Sequence, residues 1–434
     1  MHTKGHPRNS LFGMSWNPAN VTLVIMLTLL FLIFLLLFLT LTAQPAMGQT
    51  FQVLYTLNRG SDGSEPYASM TRDAAGNLYG TATLGGHTGG NCGSYGCGTV
   101  FKLANQGSGW VLTPLYSFLG GKDGSQPYDA LTFGADGSLY GTTYAGGEPP
   151  QVSGCQQGCG TVFKLTPPSS ALGAWTETVL YSFSQFGGYS PYSDVVFDRA
   201  GNLYGTTYSG GTDPGCGVVY ELIRSGSIWS EKVIHDFTWS GDDGCEPVAG
   251  VIFDQAGNLY GVTAGGGVND LGVVFQLTPS GNLWNYTALH SFNEDGGILP
   301  MGGLIFDQQG NLYGTTSIDN VGGAGTVFEL SPSGGSWTFT LLYQLPGGDA
   351  DYGPVDRLAM DASGSLYGTD CDDGTYGDGA VFKLTLSNGS WTYTDLHDFT
   401  GGSDGDSPCG GVTLDPSGNL YGTNLSSVIW EITP

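Results

Sequence analysis

Polar and apolar residues alternate in short runs along most of this chain, and the runs return in a fixed order. Around residue 200 four such runs follow one another: Asp194–Asp198, Asn202–Tyr208, Gly217–Leu222 and Trp229–Phe237. They are rich in β-branched and aromatic residues and bounded by turn residues, which predicts four short strands, here a, b, c and d. Between a and b lies Asp-x-x-Gly (Asp198–Gly201). Its Asp side chain can hold a turn, and its Gly can take positive φ. After residue 50 no stretch carries the 3.6-residue apolar period of an amphipathic helix.

The pattern repeats seven times. Its centre is a Leu-Tyr-Gly core, with tyrosines at Tyr79, Tyr140, Tyr204, Tyr260, Tyr313, Tyr367 and Tyr421, separated by 61, 64, 56, 53, 54 and 54 residues. A proline stands 13 residues before each tyrosine (Pro66, Pro127, Pro191, Pro247, Pro300, Pro354, Pro408) and a glycine three before. An Asp stands six before in every copy but the second, where Gly134 replaces it. Downstream come a Gly-x-Val-Phe-x-Leu segment (Gly160–Leu165, Gly325–Leu330) and a Trp-led segment such as Trp175–Phe183. A sustained period of this length signals a solenoid, propeller or array.

Phase selects among them. The last copy ends at Val428–Pro434, which matches strand c, and so lacks strand d. Residues 51–57 (FQVLYTL) match strand d and precede the first strand a. The first segment can therefore complete the last unit, as a closed ring requires and an open solenoid does not. The prediction is one all-β domain over residues 50–434: a seven-bladed β-propeller of four-stranded antiparallel blades, the last closed by the N-terminal strand.

The Gly-Asn-Leu-Tyr-Gly-Thr cores, the Gly-x-Val-Phe-Lys-Leu segments and the Leu-Tyr-Ser-Phe segments resemble the GloVer tandem-repeat family of extracellular bacterial proteins. The resemblance covers nearly all of residues 51–434. It implies export and often surface attachment, and it carries no catalytic residues to this chain.

Residues 1–48 differ from the rest. Lys4 and Arg8 precede an apolar run from Val21 to Leu41, then the small-x-small pattern Ala46-Met47-Gly48. This reads as a secretory signal peptide, with an uncleaved membrane anchor as the alternative. Either sends the remainder out of the cytoplasm. That remainder carries all 38 acidic residues against ten Lys and Arg, a formal charge of about −28. Nucleic acid and anionic lipid surfaces are poor partners for it. Metal cations, basic proteins and neutral glycans remain, and a monomer is expected.

All eight cysteines lie beyond residue 90 in a chain read as exported, which favours disulfides. Cys92, Cys97, Cys155, Cys159, Cys216 and Cys371 fall in b–c loops, and Cys245 and Cys409 in d–a loops. Both loop types emerge on one face of an antiparallel blade. Expected pairs are Cys92–Cys97, Cys155–Cys159, Cys216–Cys245 and Cys371–Cys409. A zinc site on Cys92-x4-Cys97 or Cys155-x3-Cys159 is the rival, but no histidine pair accompanies them.

Catalytic signatures are absent. His235, His290 and His397 occupy the strand-d position that holds Tyr55, Tyr116, Tyr181 and Tyr343 elsewhere, which suggests packing and hydrogen bonding. His87 lies off the repeat in a glycine-rich loop. No Gly-x-Ser-x-Gly elbow, dinucleotide fingerprint or Walker motif opens a helix. The repeated tyrosines fall where blades pack and read as core. Carboxylates concentrate in the loops of one face: Asp242, Asp243, Glu246, Asp349, Asp351, Asp372, Asp373, Asp404 and Asp406 are the candidate binding residues. Asp349 with Asp351, or Asp404 with Asp406, could gather Ca²⁺ through oxygen ligands; no other cofactor is implied. Many of these acids sit in Asp-Gly turns, where turn formation alone accounts for them. The expectation is a non-catalytic exported scaffold that binds a protein or glycan through this acidic face. The alternative is a secreted hydrolase or lyase on polysaccharide, using carboxylates of the same loops.

Overall fold

The computed structural model describes residues 26–27, 49–147, 155–170, 173–213, 215–319, 323, 325–347 and 353–434. Apart from residues 26–27, the predicted signal or anchor segment lies outside the described residues, as do Asp349 and Asp351. Thr50–Thr433 forms one compact unit. Among the described residues, no helix is long and apolar enough to cross a membrane.

Seven four-stranded antiparallel sheets form the blades of a propeller. In blade 3 the strands are Val196–Phe197, Leu203–Thr207, Val218–Ser225 and Ile228–Asp236, and blades 1 to 6 repeat this order. Blade 7 takes its outer strand from the other end of the chain. Thr50–Thr56 pairs antiparallel with Val428–Thr433, from Thr50 opposite Thr433 to Thr56 opposite Val428. The ring closes as the phase of the repeat predicts.

Strand a is shorter than its sequence run: two residues instead of five. Its upstream backbone is committed to neighbouring blades. The Ser193 and Val195 carbonyls accept the hydroxyls of Thr142 and Thr132 from blade 2, at 2.8 and 2.6 Å. The Asp194 N–H donates to the Asp129 carboxylate at 2.6 Å. Groups spent between blades cannot also build a ladder within one.

The core lies between blades. Tyr79 of blade 1 packs with Phe118, Leu131, Leu139, Phe163 and Leu165, and each later Leu-Tyr-Gly tyrosine enters the corresponding cluster. The neighbouring Leu faces the opposite way, as alternation along a strand requires. The Gly leaves room for the strand-c aromatic of the same blade: a Cβ on Gly205 would stand 2.5 Å from the Tyr220 hydroxyl.

Six of the seven blade entries share one further regularity. The residue before the repeat's proline has positive φ: Glu65, Gln126, Ser190, Glu246, Leu299 and Ser407 all lie between 50° and 60°. Such a conformation costs on the order of 1–3 kcal/mol at a non-glycine residue. Backbone bonds on both sides hold it. The Gln126 N–H donates to the Cys97 carbonyl at 2.8 Å, and its own carbonyl accepts from Tyr144 at 2.9 Å. Ser190 and Glu246 repeat the arrangement with Cys159 and Tyr208, and with Cys216 and Ala264. The chain is thereby turned inward, and the residue after each proline meets the central channel.

Candidate functional site

The residues that follow the seven prolines line a cavity of about 440 Å³ at the centre of the ring. The first layer comes from the position directly after proline. Blades 1 to 3 contribute Tyr67, Tyr128 and Tyr192, and blades 4 to 7 contribute Val248, Met301, Val355 and Cys409. One wall is therefore aromatic and the facing wall mainly aliphatic. The Tyr128 and Tyr192 rings stack at 4.5 Å, and Tyr67 meets Tyr128 edge-on at 5.3 Å. Tyr144 and Tyr208, at the exits of strand b in blades 2 and 3, extend the group to five rings.

The next two positions carry charge. Asp129, Asp194, Asp356 and Arg357 stand where other blades have Ala, Ser or Gly. The Arg357 guanidinium of blade 6 donates through both terminal nitrogens to the Asp194 carboxylate of blade 3, at 3.4 Å each. Blades 3 and 6 are as far apart as a seven-membered ring allows, so this pair spans the channel and gives the cup a polar layer. Glycines on neighbouring blades make the room: a Cβ on Gly250 would lie 2.0 Å from the Asp194 carboxylate, and one on Gly303 2.9 Å from Arg357 Nε. The Asp356 carboxylate accepts N–H groups from Ser69, Gly411 and Arg357 at 3.0, 2.7 and 2.6 Å, which ties blades 1, 6 and 7 together. Asp129 does the same for Ala130 and Asp194.

These groups lie deep in the protein, yet each keeps contact with the cavity. Burial, and then the charges of Asp194 and Asp356, hold the Asp129 carboxyl well above the usual carboxylate range. Asp194 first, and Asp129 and Asp356 after it, strengthen the charged form of Arg357. Arg357 Nε is buried without a hydrogen-bond partner. Burial pushes the Tyr128 hydroxyl up to about 12. The cup as a whole presents ring faces, the Arg357–Asp194 pair and the raised Asp129 carboxyl.

The loop carboxylates predicted from sequence are dispersed. Asp243 accepts from His235 and from the N–H groups of Thr238 and Gly244, at 2.9–3.0 Å, and so holds its own turn. Asp404 does likewise for Thr400 and lies 3.3 Å from His397. Asp242 is exposed and Asp373 buried. Burial and the nearby Asp378 raise the Asp406 carboxyl. One of the candidates, Asp372, lines the cavity; Glu246 is hydrogen-bonded to Tyr208, with burial raising its carboxyl. Among the described residues, no group of three or more His, Cys, Asp or Glu is arranged to hold a metal ion. The three strand-d histidines stack on rings of the next blade: His235 on Tyr286, His290 on Phe339 and His397 on Phe51, at 3.8–4.4 Å. Burial lowers His290 to about 4, so it is neutral at ordinary pH.

All eight cysteines form the four expected disulfides. They mark a chain of an oxidising, extracytoplasmic compartment. The residues of the cup itself were not singled out from sequence. Their signal was present: positions one to three after an unvarying proline change from Tyr to Val, Met and Cys, and from Ala and Gly to Asp and Arg.

No curated protein matches the sequence. Solved structures that resemble it are propellers of remote sequence. A polysaccharide lyase of family PL25, an ulvan lyase, has a TM-score of 0.51 at 12% identity, covering 87% of this chain and 95% of its own. A putative gluconolactonase gives 0.43 at 13%, covering 90% and 96%. The calcium structure of a Trichoderma reesei carbohydrate-active enzyme of family AA12 gives 0.42 at 14%, covering 89% and 96%. At these identities the likeness concerns the fold alone. Residues 150–358 match the model of the Gloeobacter/Verrucomicrobia repeat, the family that the repeat cores resemble.

Proposed function

We propose that this protein is an exported, non-catalytic binding module that takes a sugar unit of a neutral glycan into the channel cup. One juxtaposition carries the reading: a wall of tyrosines and the Arg357–Asp194 ion pair lining one cavity sized for a small ligand. Sites for small molecules span about 300–1,000 Å³ and combine apolar walls with a few convergent polar groups. A sugar ring offers C–H faces to tyrosine and hydroxyl oxygens to Arg357. The surplus of acid over the chain disfavours an anionic ligand. The carboxylates of the cup are engaged with backbone N–H groups or with Arg357, which favours binding over hydrolysis.

The test is calorimetric titration with neutral mono- and disaccharides. Met301→Trp places a bulky ring in the cup from the aliphatic wall. It should weaken binding about tenfold or more while leaving the melting temperature near that of the wild type. Unchanged affinity in a folded variant sinks the reading.

The enzymatic alternative has one observation in its favour, the raised Asp129 carboxyl inside the cup. Release of reducing ends or unsaturated sugars by the wild type, lost in Asp129→Asn, would install it. The expected result is no release by either.

A further inference from the structure

Four aromatic side chains among the described residues are strongly exposed: Tyr95 (77%), Phe186 (83%), Trp239 (49%) and Tyr376 (63%). All four lie in b–c or d–a loops, on the face where the cup opens. The exposed large side chains at the opposite c–d turns are aliphatic: Ile228, Leu283 and Leu386. Aromatic exposure is therefore confined to one end of the propeller.

Three of the four stand on loops that a disulfide closes or fastens, and the fourth is hydrogen-bonded to a disulfide-closed loop. Tyr95 lies inside the Cys92–Cys97 loop, and its carbonyl accepts the Gly85 N–H at 2.7 Å. The loop of Phe186 docks on the Cys155–Cys159 loop through Ser190 N–H to the Cys159 carbonyl, at 2.9 Å. Trp239 lies between the two strands of chain joined by Cys216–Cys245: its ring is 3.0 Å from a Cβ placed on Gly265 and 3.7 Å from one on Gly215. Tyr376 is five residues beyond Cys371, in the loop that Cys371–Cys409 fastens to the next blade's entry. Three of the exposed rings thus stand on disulfide-held loops, and Phe186 stands on a loop docked against the remaining disulfide loop. Exposed rings contribute nothing to the core, and fastening the loops under them lowers the ordering cost of a contact made by those rings.

We propose that these four rings are outer subsites for a neutral polysaccharide chain that crosses the loop face, with one unit held in the cup. This rests on the reading of the cup as a sugar site and adds that the ligand is a polymer. The rings are distributed over separate blades among Gly, Ser, Thr and Asp, not gathered into the contiguous apolar patch that a protein partner covers. A flat ring set in polar surroundings suits a sugar, which has apolar C–H faces and a hydroxyl edge. The acidic surroundings select against uronate or sulfate polymers.

The experiment uses the full chain with its disulfides intact. Native gels containing soluble neutral β-glucan, mannan or xylan are run beside alginate and polygalacturonate gels, and calorimetry follows with the matching oligosaccharides from two to six units. The expected result is retardation by at least one neutral polymer and by neither anionic one. The dissociation constant should fall about tenfold or more from the disaccharide to the hexasaccharide, as added subsites act together. A Tyr95→Ala, Phe186→Ala, Trp239→Ala, Tyr376→Ala variant should lose that gain, keep its disaccharide affinity and keep its melting temperature. Length-independent binding, or a hexasaccharide affinity unchanged in the fourfold variant, overturns the outer subsites and leaves the cup standing. Retardation by no neutral polymer, or ring-dependent binding of polylysine alone, overturns them as well. Loss of disaccharide binding in Met301→Trp concerns the cup only, so the two failures are distinguishable.

Discussion

Single residues explain why the Leu-Tyr-Gly motif recurs. Its tyrosine closes a turn as well as a blade interface: Tyr260 donates to the Asp254 carboxylate at 3.1 Å, and that carboxylate also accepts the Asn258 N–H at 2.8 Å. The Asp six residues upstream was visible in sequence as a turn former, but its second partner was not, because the tyrosine returns to it only once the a–b hairpin forms. Blade 2 shows the substitute. Where Gly134 replaces Asp, Asp136 takes over the turn and pairs with Lys164 at 2.6 Å. Glu231 shows a residue-scale effect that sequence could not announce. It is packed between blades 2 and 3 and accepts the Tyr181 hydroxyl at 2.8 Å, and burial pushes its carboxyl from 4.5 to about 7. The folded chain therefore binds a proton that the unfolded chain releases at lower pH. Stability from this group is complete below about pH 4.5 and declines as pH rises to about 7, by on the order of 3 kcal/mol. Glu231→Gln keeps a neutral group at the site. Urea midpoints compared at pH 5 and pH 8 should fall more for the wild type than for this variant, and equal falls would refute the assignment.

At the scale of elements, alternation located the strands but misjudged two of their features. Strand d carries a bulge in every blade, always at a Leu or Ile: Leu115, Leu180, Ile234, Leu289, Leu342, Leu396 and, in the closing strand, Leu54. One extra residue re-aims those beyond it, and here these include His235, His290, Tyr343 and His397, which stack on the next blade. The sequence cue is the adjacent pair, Leu-Tyr or Leu-His, which breaks strict alternation; a period of two cannot say which residue is extra. The other feature is the threonine of strand b. Thr81, Thr142, Thr206, Thr369 and Thr423 each donate a hydroxyl to a carbonyl of the next blade's inner segment, at 2.8–3.1 Å. Thr reads as a generic strand former from sequence, yet here it stitches the ring. Blade 4 has Val262 at this position. Thr206→Val removes a buried hydroxyl that also meets Ser193 Oγ at 2.9 Å. It should cost about 1–3 kcal/mol in chemical denaturation, since it leaves the Ala249 carbonyl unsatisfied. A loss no larger than that of an exposed control such as Thr338→Val would count against the stitching role.

For the molecule as a whole, the number of blades and the point of closure were legible because both follow from counting: seven tyrosines, a last unit without strand d, and a first segment that supplies one. The cup was not, since Asp194 and Arg357 are 163 residues apart and become neighbours only when the ring is closed. Closure is thus a condition of the site as well as of the fold. The strand that achieves it is held by its pairing with Val428–Thr433 and by side chains on both faces. Phe51 stacks on His397 at 3.8 Å and meets Phe399 edge-on, while Leu54 and Tyr55 pack with the blade 1 cluster. Three half-buried apolar side chains of this size contribute about 1.5–3 kcal/mol each at full burial, so the strand is worth on the order of 5 kcal/mol. At roughly 2.1 cal/mol/K per residue for a domain of this length, its loss lowers the melting temperature by about 6 °C. A chain beginning at Leu57 should show that fall, and it should also lose sugar binding at temperatures where it remains folded, because an open blade 7 loosens the Gly411–Asp356 tie that positions Arg357. Adding a synthetic peptide of residues 50–56 should restore both together. Restoration of stability without binding would mean that the cup is assembled independently of the seam.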